Sequence, residues 1–496
     1  MMLCELVRCV GSLERHNCWD RPVTSVTDDS RRVRSGTMFV AVSGEAHDGH
    51  DFIADAVRHG ASAVVCERVP QPLPGCMVVQ VGDSRLALSA LAAAFNRRPA
   101  DRLCSIAVTG TDGKTTTTEL CRAILTEAGH PTGSLGTVHY SLGSRTVDSD
   151  QTTPHPLVLH ALLREMLDRG LTHVCMEVSS HSLVQRRTAH VPFKAAVLTN
   201  VTEDHLDYHG SAEEYARAKQ RLFESLGPSA TAVLNAASPV CERYREACHA
   251  RTLTYGLKVA ADVRAIGHCQ SASGTDIAVQ TPSGTVQLHS PLIGDYNAEN
   301  IMAALTLALA LDVPMEAVRS AVAKFTGVAG RLERIEVPDG EALPTVFVDY
   351  AHTPNGLRSV LGALRPLTKG RLICVFGCGG DRERQKRPLM GAISGELADL
   401  TVLTSDNSRS ESTDEIIAQI VAGMSRDSSE CLTVPDRREA IEAALARADS
   451  SLDVVAICGR GCEREQVLMQ CRTPFDDRVV AREILLGLSR RRRRSA

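Results

Sequence analysis

The run Gly110-Thr111-Asp112-Gly113-Lys114-Thr115-Thr116 has residue types and spacing suited to holding phosphate. Its glycines let backbone N–H groups approach phosphate oxygens, and a helix opening behind them adds the positive end of its dipole. Lys114 can neutralise the terminal phosphates of a nucleotide, and the Thr115 hydroxyl can ligate Mg²⁺. The loop is shorter than G-x-x-x-x-G-K-[ST], because Val108 stands where that pattern has glycine. An ordinary glycine turn before a capped helix is the competing reading. The loop by itself does not separate a kinase, a motor and a ligase.

Further candidates follow downstream. Glu177 closes the apolar run His173–Val178, where a carboxylate can hold Mg²⁺ opposite the loop; a surface strand-end glutamate is the plainer alternative. His205 and His209 stand four apart and would share one face of a helix, so a zinc pair is open beside a structural reading. Cys374 and Cys378 have metal-like spacing but no matching second pair. Ser211 with Glu214 makes a capping box, which predicts a helix starting there. Tyr215, Ala218, Leu222 and Leu226 form its apolar stripe, with Lys219 at the border. Lys219 is either a snorkelling side chain or a buried amine of lowered pKa. Such an amine can take up CO₂ as a carbamate, which turns a cation into an oxygen ligand for Mg²⁺.

These residues need strands and loops to position them, and the pattern supplies both. Short apolar runs at 38–42, 63–66 and 78–81 alternate with helical segments such as 51–59, and the polar stretch 96–101 reads as a linker. Strands are expected at 105–109, with a helix through about Ala128, and at 174–178 and 195–199. The rhythm restarts near Gly330 with strands at 345–349, 372–376, 400–404 and 454–458. Alternation of this kind predicts an α/β protein of mostly parallel sheets covered on both faces. Three domains follow: 1–101, a central 102–330 of phosphate-loop type, and a Rossmann-like 331–496. The last four strands end in DYAHTP, GCGGDR, SDNSR and GRGCE, which offers site loops along one edge.

Bulk properties narrow the classes. The 496 residues, 43% hydrophobic and 23% charged, suit a globular protein with a sizeable core. A net charge of −4 gives no basic field for a polyanion, and 3% aromatics is too few for a base-stacking platform. Seventeen cysteines without a repeating framework or a secretory leader read as reduced cytoplasmic thiols. No apolar run is long enough to predict a transmembrane helix. The arginines Arg490–Arg494 read as a solvated, disordered terminus, with anionic lipid or nucleic acid as the alternative partner.

Taken together, DSR with GTMFVAVSG, GTDGKTTTT, QTTP, MEVSSHSLVQRR, TNVTEDHLDYHG, YARAKQRLF, GRLERIE, DYAHTPNGL, TSDNSR and GRGCE resemble the Mur ligase family over nearly the whole chain. The resemblance implies ATP-dependent addition of a third amino acid to UDP-N-acetylmuramoyl-L-alanyl-D-glutamate in cytoplasmic peptidoglycan precursor synthesis. It implies that Asp28, Ser30, Glu45, Ala46 and His47 hold the UDP part. ATP would lie on Gly110 to Thr116, reached by Asn300, Arg331 and Asp349. Thr115, Glu177, His205 and a carbamylated Lys219 would surround Mg²⁺, with Lys114 beside them as the catalytic cation. Gln151, Thr152, Thr153, Ser179, Gln185 and Arg187 would contact the muramoyl dipeptide. Arg382, Asp406, Asn407, Ser408, Arg409, Gly459 and Glu463 would hold the incoming amino acid. The ligands implied are UDP-MurNAc-dipeptide, ATP and a free amino acid, bound by a monomer without nucleic-acid or membrane partners.

Two departures fall in the amino-acid pocket: Ser408 where the family's diaminopimelate enzymes carry proline, and Cys462 where many relatives carry histidine. The dibasic amino acid is read as meso-diaminopimelate, because Arg409 can pair with its distal carboxylate. Lysine and ornithine are the alternatives. Without the proline ring the loop is free to loosen and turn Arg409 elsewhere. A folylpolyglutamate synthetase-like ligase shares the short loop but not the DSR or DNSR segments. A non-catalytic nucleotide switch has no use for the metal set.

Overall fold

Short runs of β-branched and aliphatic residues ending in glycine or polar turns form the strands, as their composition favours. The computed structural model describes every residue except 18, 45–46, 70–72, 74, 203, 272, 339–342, 426–429, 470 and 496, and of 491–495 the backbone alone. The chain divides into two compact units: Met1–Val263 with Met302–Ala321, and Arg264–Ile301 with Val322–Ala496.

The first unit contains a five-stranded sheet of Ser12–His16, Met77–Val81, Ala63–Cys66, Thr37–Val40 and Ser25–Thr27, parallel except at the Ser12–His16 edge. The helical run expected at 51–59 opens as the 3₁₀ turn Gly49–Phe52 and continues as Ile53–Arg58. The same unit has a parallel core in the order Arg251–Gly256, Thr231–Asn235, Phe193–Leu198, Cys104–Thr109, His173–Glu177 and Thr132–Leu135. His139–Ser141 and Thr146–Asp148 extend it antiparallel. Ile106, Ala107, Val174 and Val197 are fully buried, as strands covered on both faces require. The expected capping box forms: Ser211 Oγ accepts from the Glu214 N–H at 3.2 Å and opens the helix Ala212–Glu224.

The second unit contains the sheet Glu333–Arg334, Thr345–Asp349, Val454–Cys458, Leu372–Phe376, Leu400–Leu403 and Glu430–Thr433. All but the two-residue edge strand are parallel, so their carboxyl ends share one edge. Three antiparallel strands, Val263–Ser271, Gly274–Thr281 and Gly284–Ser290, are absent from the sequence reading. Their signals are two Ser-Gly turns, Ser273-Gly274 and Ser283-Gly284, set between alternating polar and apolar residues. The arginine-rich terminus also differs from expectation. The helix Asp477–Ser495 runs through it, held by buried Val480, Ala481 and Leu485 and continued by residues of good helix propensity. Among the described residues no helix is long and apolar enough to cross a membrane.

Candidate active site

The phosphate loop joins the strand Cys104–Thr109 to the helix Lys114–Glu127. Gly113 caps that helix at φ +81°, a conformation L side chains rarely adopt. A Cβ on Gly110 would collide with the Thr199 hydroxyl. The loop is tied down from the strand beside it. The Asp112 N–H donates to Asn200 Oδ1 at 2.9 Å, and Thr199 Oγ1 donates to the Asp112 carbonyl at 2.6 Å. Lys114 Nζ folds back onto the carbonyls of Thr111 at 2.7 Å and Gly110 at 3.1 Å.

Glu177 is 1% exposed at the end of its strand and is held by three donors. Thr115 Oγ1 donates to one carboxylate oxygen at 3.0 Å, and Thr137 donates through its N–H at 2.8 Å and its hydroxyl at 3.0 Å. Thr137 Oγ1 also lies 3.1 Å from Thr152 Oγ1, linking this carboxylate to the QTTP segment. Sequence reasoning missed Thr137. The signal that could have found it is its place just past the end of the strand Thr132–Leu135, next to the strand that ends in Glu177.

Lys219 does not snorkel. It is 1% exposed, donates to the Gly110 carbonyl at 2.8 Å and lies 4.5 Å from the Tyr215 ring centre. Burial first, then the charge of Lys114, pushes its pKa well below that of an ordinary lysine. The neutral form, which keeps a lone pair, is therefore favoured more than in a solvated lysine. His205 is a left-handed residue at φ 54° ahead of the short helix Leu206–His209, not part of one helical face with His209. Its ring packs edge-on to His181 at 4.8 Å, while His209 Nε2 reaches Ser180 Oγ at 2.9 Å. Among the described residues no three carboxylate, imidazole or thiol side chains are grouped to hold a metal ion. Cys374 is buried in a strand, and Cys378 Sγ faces Met390 sulfur at 3.7 Å.

The residues expected to meet the muramoyl dipeptide form one cluster in the same unit. Arg187 donates to Gln185 Oε1 at 2.7 and 3.0 Å, to the Thr153 carbonyl at 2.7 Å, and to Gln151. Thr153 is buried, its hydroxyl bonded to the Glu177 carbonyl and the Ser179 N–H. Ser179 caps the helix Ser180–Val184. Asp28 receives His155 Nε2 at 3.1 Å. Burial works against its ionisation, but the hydrogen bond and charge of His155 outweigh that and hold its carboxyl below the usual range. Ser30 opens a 3₁₀ turn behind the Asp29 cap. His47 is exposed, and Glu45 and Ala46 lie outside the described residues.

The second unit holds the remaining candidates. Asp349 accepts from the Leu332 N–H at 2.6 Å and the Ala351 N–H at 2.7 Å, Arg331 covers the Tyr350 ring at 4.6 Å, and Asn300 is buried on the helix Asp295–Ala310. The loop Asp406, Asn407, Ser408, Arg409 is buried up to Arg409. Asn407 donates to Glu463 at 2.7 Å and accepts from Arg460 at 2.9 Å and the Val467 N–H at 2.8 Å. Gly459, at φ +112°, leaves room for Asp406, where a Cβ would stand 2.8 Å from Oδ2. Burial, then Asp406, raises the Glu463 carboxyl above its usual range, so this pair of acids favours an incoming ammonium.

The looseness expected from Ser408 is countered by tertiary contacts. Arg409 adopts φ 51°, its N–H donates to the Val467 carbonyl at 3.1 Å, and its guanidinium donates to the Gly380 carbonyl at 2.7 Å. Arg382 is exposed and bonds only its neighbour's carbonyl in the described set. Three fully buried arginines that sequence reasoning passed over brace the loop's surroundings. Arg387 chelates Glu411 at 2.9 Å, Arg437 pairs with Asp477 at 2.7 Å while donating to the Ser405 and Cys458 carbonyls, and Arg460 holds Asn407.

Sequence profiles of the Mur ligase family match in register with this arrangement: its catalytic domain over 22–96, its middle domain over 108–308 and its glutamate ligase domain over 330–461. The "UDP-N-acetylmuramoyl-L-alanyl-D-glutamate--2,6-diaminopimelate ligase" of Geobacillus kaustophilus is 42% identical across 94% of this chain and 96% of its own. The chain belongs to the Mur ligase family. The Gloeobacter violaceus protein of the same name is 41% identical over 100% of this chain and 99% of its own. A solved structure bearing that name superposes with a TM-score of 0.71 at 30% identity, covering 98% of this chain and 99% of its own. A MurF ligase from Thermotoga maritima in complex with ADP shares the Mur ligase fold at 21% identity, with a TM-score of 0.61 and coverage of 95% and 98%.

Proposed function

We propose that this Mur ligase joins meso-2,6-diaminopimelate to the γ-carboxyl of UDP-N-acetylmuramoyl-L-alanyl-D-glutamate in the cytoplasm at the expense of ATP, acting as a monomer of three functional segments, 1–101, 102–330 and 331–496. The observation that carries it is a phosphate loop joined by Thr115 to a buried carboxylate, Glu177, with the buried amine of Lys219 bonded to the same loop. Relatives above 40% identity named for diaminopimelate addition support the choice of amino acid.

The donor set fits Mg²⁺. A hard cation takes oxygen ligands and is commonly held by one or two carboxylates together with substrate phosphates. Thr115 and Glu177 supply such oxygens, His205 stands nearby, and a carbamate on Lys219 would add another oxygen pair. Mg²⁺ bound there would neutralise charge on the phosphates in flight.

A carboxylate does not condense with an amine in water unaided. The γ-carboxylate takes the terminal phosphoryl group of ATP, giving an acyl phosphate and ADP. The amine attacks the carbonyl carbon, loses a proton, and the C–O bond to phosphate breaks. Lys114 and the loop amides steady phosphate charge in this sequence, and Arg187 with Gln185 and Gln151 orients the peptide. Glu463 and Asp406 draw in the ammonium end of the amino acid, and Arg409 meets its distal carboxylate. The test is phosphate release with ATP and UDP-MurNAc-L-Ala-D-Glu, offered diaminopimelate, lysine or ornithine separately. Turnover with diaminopimelate and product of the added mass is expected. Preference for lysine or ornithine overturns the amino acid, and no turnover with any of them overturns the ligase reading.

A further inference from the structure

A crevice of about 450 Å³ in the first unit shares no residue with the phosphate loop or the substrate cluster. Three segments build it. The helix Ser84–Phe95 and the linker after it bring Leu86 and Arg98, the stretch after Ser180–Val184 brings Arg186 and His190, and the helix Ala212–Glu224 brings Arg221. Val191, Pro192 and Phe193 supply an apolar wall.

Its charge is unbalanced. Three guanidinium groups line it against one carboxylate, Asp101, which Arg98 Nε engages at 2.9 Å. Arg186 stands 3.6 Å from Asp83, outside the lining, and Arg221 makes no ion pair among the described residues. Arg221 also borders a second crevice beside Asp207 and Glu214, without pairing with either. Arg98 and Arg186 both hold left-handed backbones, at φ 48° and 56°, which fix these two arginines in conformations L residues seldom take.

A histidine, His190, completes the lining. Its Nδ1 is buried without a hydrogen-bond partner among the described residues. Behind the lining, His160 is fully buried, and neither of its ring nitrogens is hydrogen-bonded among the described residues.

We infer that this crevice is a binding site for a small organic dianion, a phosphate monoester with a compact apolar body. A phosphate monoester carries roughly −1.5 to −2 charges at neutral pH and three acceptor oxygens, which suits several guanidinium forks. The apolar wall takes the carbon body. The volume falls within the range of roughly 300–1,000 Å³ common to small-molecule sites.

Phenyl phosphate is the probe, titrated calorimetrically into the full-length protein with saturating ADP and UDP to occupy the nucleotide and uridine sites. One-site binding with Kd below about 1 mM is expected. Arg221→Ala and Arg186→Ala should each weaken it about tenfold or more, with an unchanged unfolding midpoint. Arg221→Lys keeps the charge but loses the planar fork, and should fall between wild type and Arg221→Ala. Inorganic phosphate should bind more weakly than phenyl phosphate. The inference is overturned by absence of binding in wild type, by displacement with ADP or UDP, by arginine variants that bind like wild type, or by inorganic phosphate binding equally well.

Discussion

Replacing Thr137 with valine removes one hydroxyl from the Glu177 carboxylate while keeping the side chain's shape. Glu177 then loses the 3.0 Å donor but keeps the Thr137 N–H at 2.8 Å and Thr115 Oγ1 at 3.0 Å. A hydrogen bond to a charged group contributes about 1.5–3 kcal/mol, and each 1.4 kcal/mol is about tenfold. Two of three donors remain, so the lower end applies: a loss of about tenfold in kcat/KM. The valine methyl also faces Thr152 Oγ1, where the hydroxyl stood 3.1 Å away, so part of the loss should appear in KM for the muramoyl dipeptide. Thr137→Ser keeps the donor and should recover most of the activity. The assay is steady-state phosphate release across a Mg²⁺ titration, paired with calorimetric ADP binding with and without Mg²⁺. The valine variant should need more Mg²⁺ in both measurements, at an unchanged unfolding midpoint. If its kcat/KM and Mg²⁺ requirement both stay within about twofold of wild type, Thr137 does not position Glu177.

Lys219→Ala should be nearly inactive and partly restored by short carboxylates, and wild type should lose activity in CO₂-depleted buffer and regain it with bicarbonate. Full activity of Lys219→Ala without carboxylate would refute the carbamate. Arg409→Ala should lower kcat/KM for diaminopimelate by about 10- to 100-fold and leave lysine turnover almost unchanged, because only diaminopimelate has a distal carboxylate to lose. Equal losses for both would point to loop collapse. Glu411→Gln leaves buried Arg387 uncompensated and should destabilise the second unit by about 3–5 kcal/mol at neutral pH. The Arg387 hydrogen bonds hold the Glu411 carboxyl down at about 2, so the wild-type advantage is full above the ordinary glutamate value and fades as pH falls towards about 2. Urea unfolding followed by circular dichroism over a pH series checks this. The single tryptophan, Trp19, lies in the first unit.

Local pattern alone located the phosphate loop, the capped helix Ala212–Glu224 and many of the parallel strands, though not Thr132–Leu135, Thr231–Asn235, Arg251–Gly256 or Glu430–Thr433, because each element it found rests on short-range physics. Glycine permissiveness, side-chain capping and the apolar run of a doubly covered strand all act within a few residues. The sequence also determined the family, since its motifs recur in order along nearly the whole chain. It left open whether Lys219 was a solvated cation or a buried amine, because that depends on the Gly110 carbonyl 109 positions away and on the charge of Lys114. Thr137 gains meaning only when the parallel pairing of Thr132–Leu135 with His173–Glu177 brings it to the carboxylate. The stiffness lost with Ser408 is returned by Val467 and Gly380, and the buried arginines 387, 437 and 460 look like surface charges until their distant partners are known. Burial and long-range hydrogen bonds set pKa and side-chain direction, and both are properties of the folded chain's packing that no local spacing encodes.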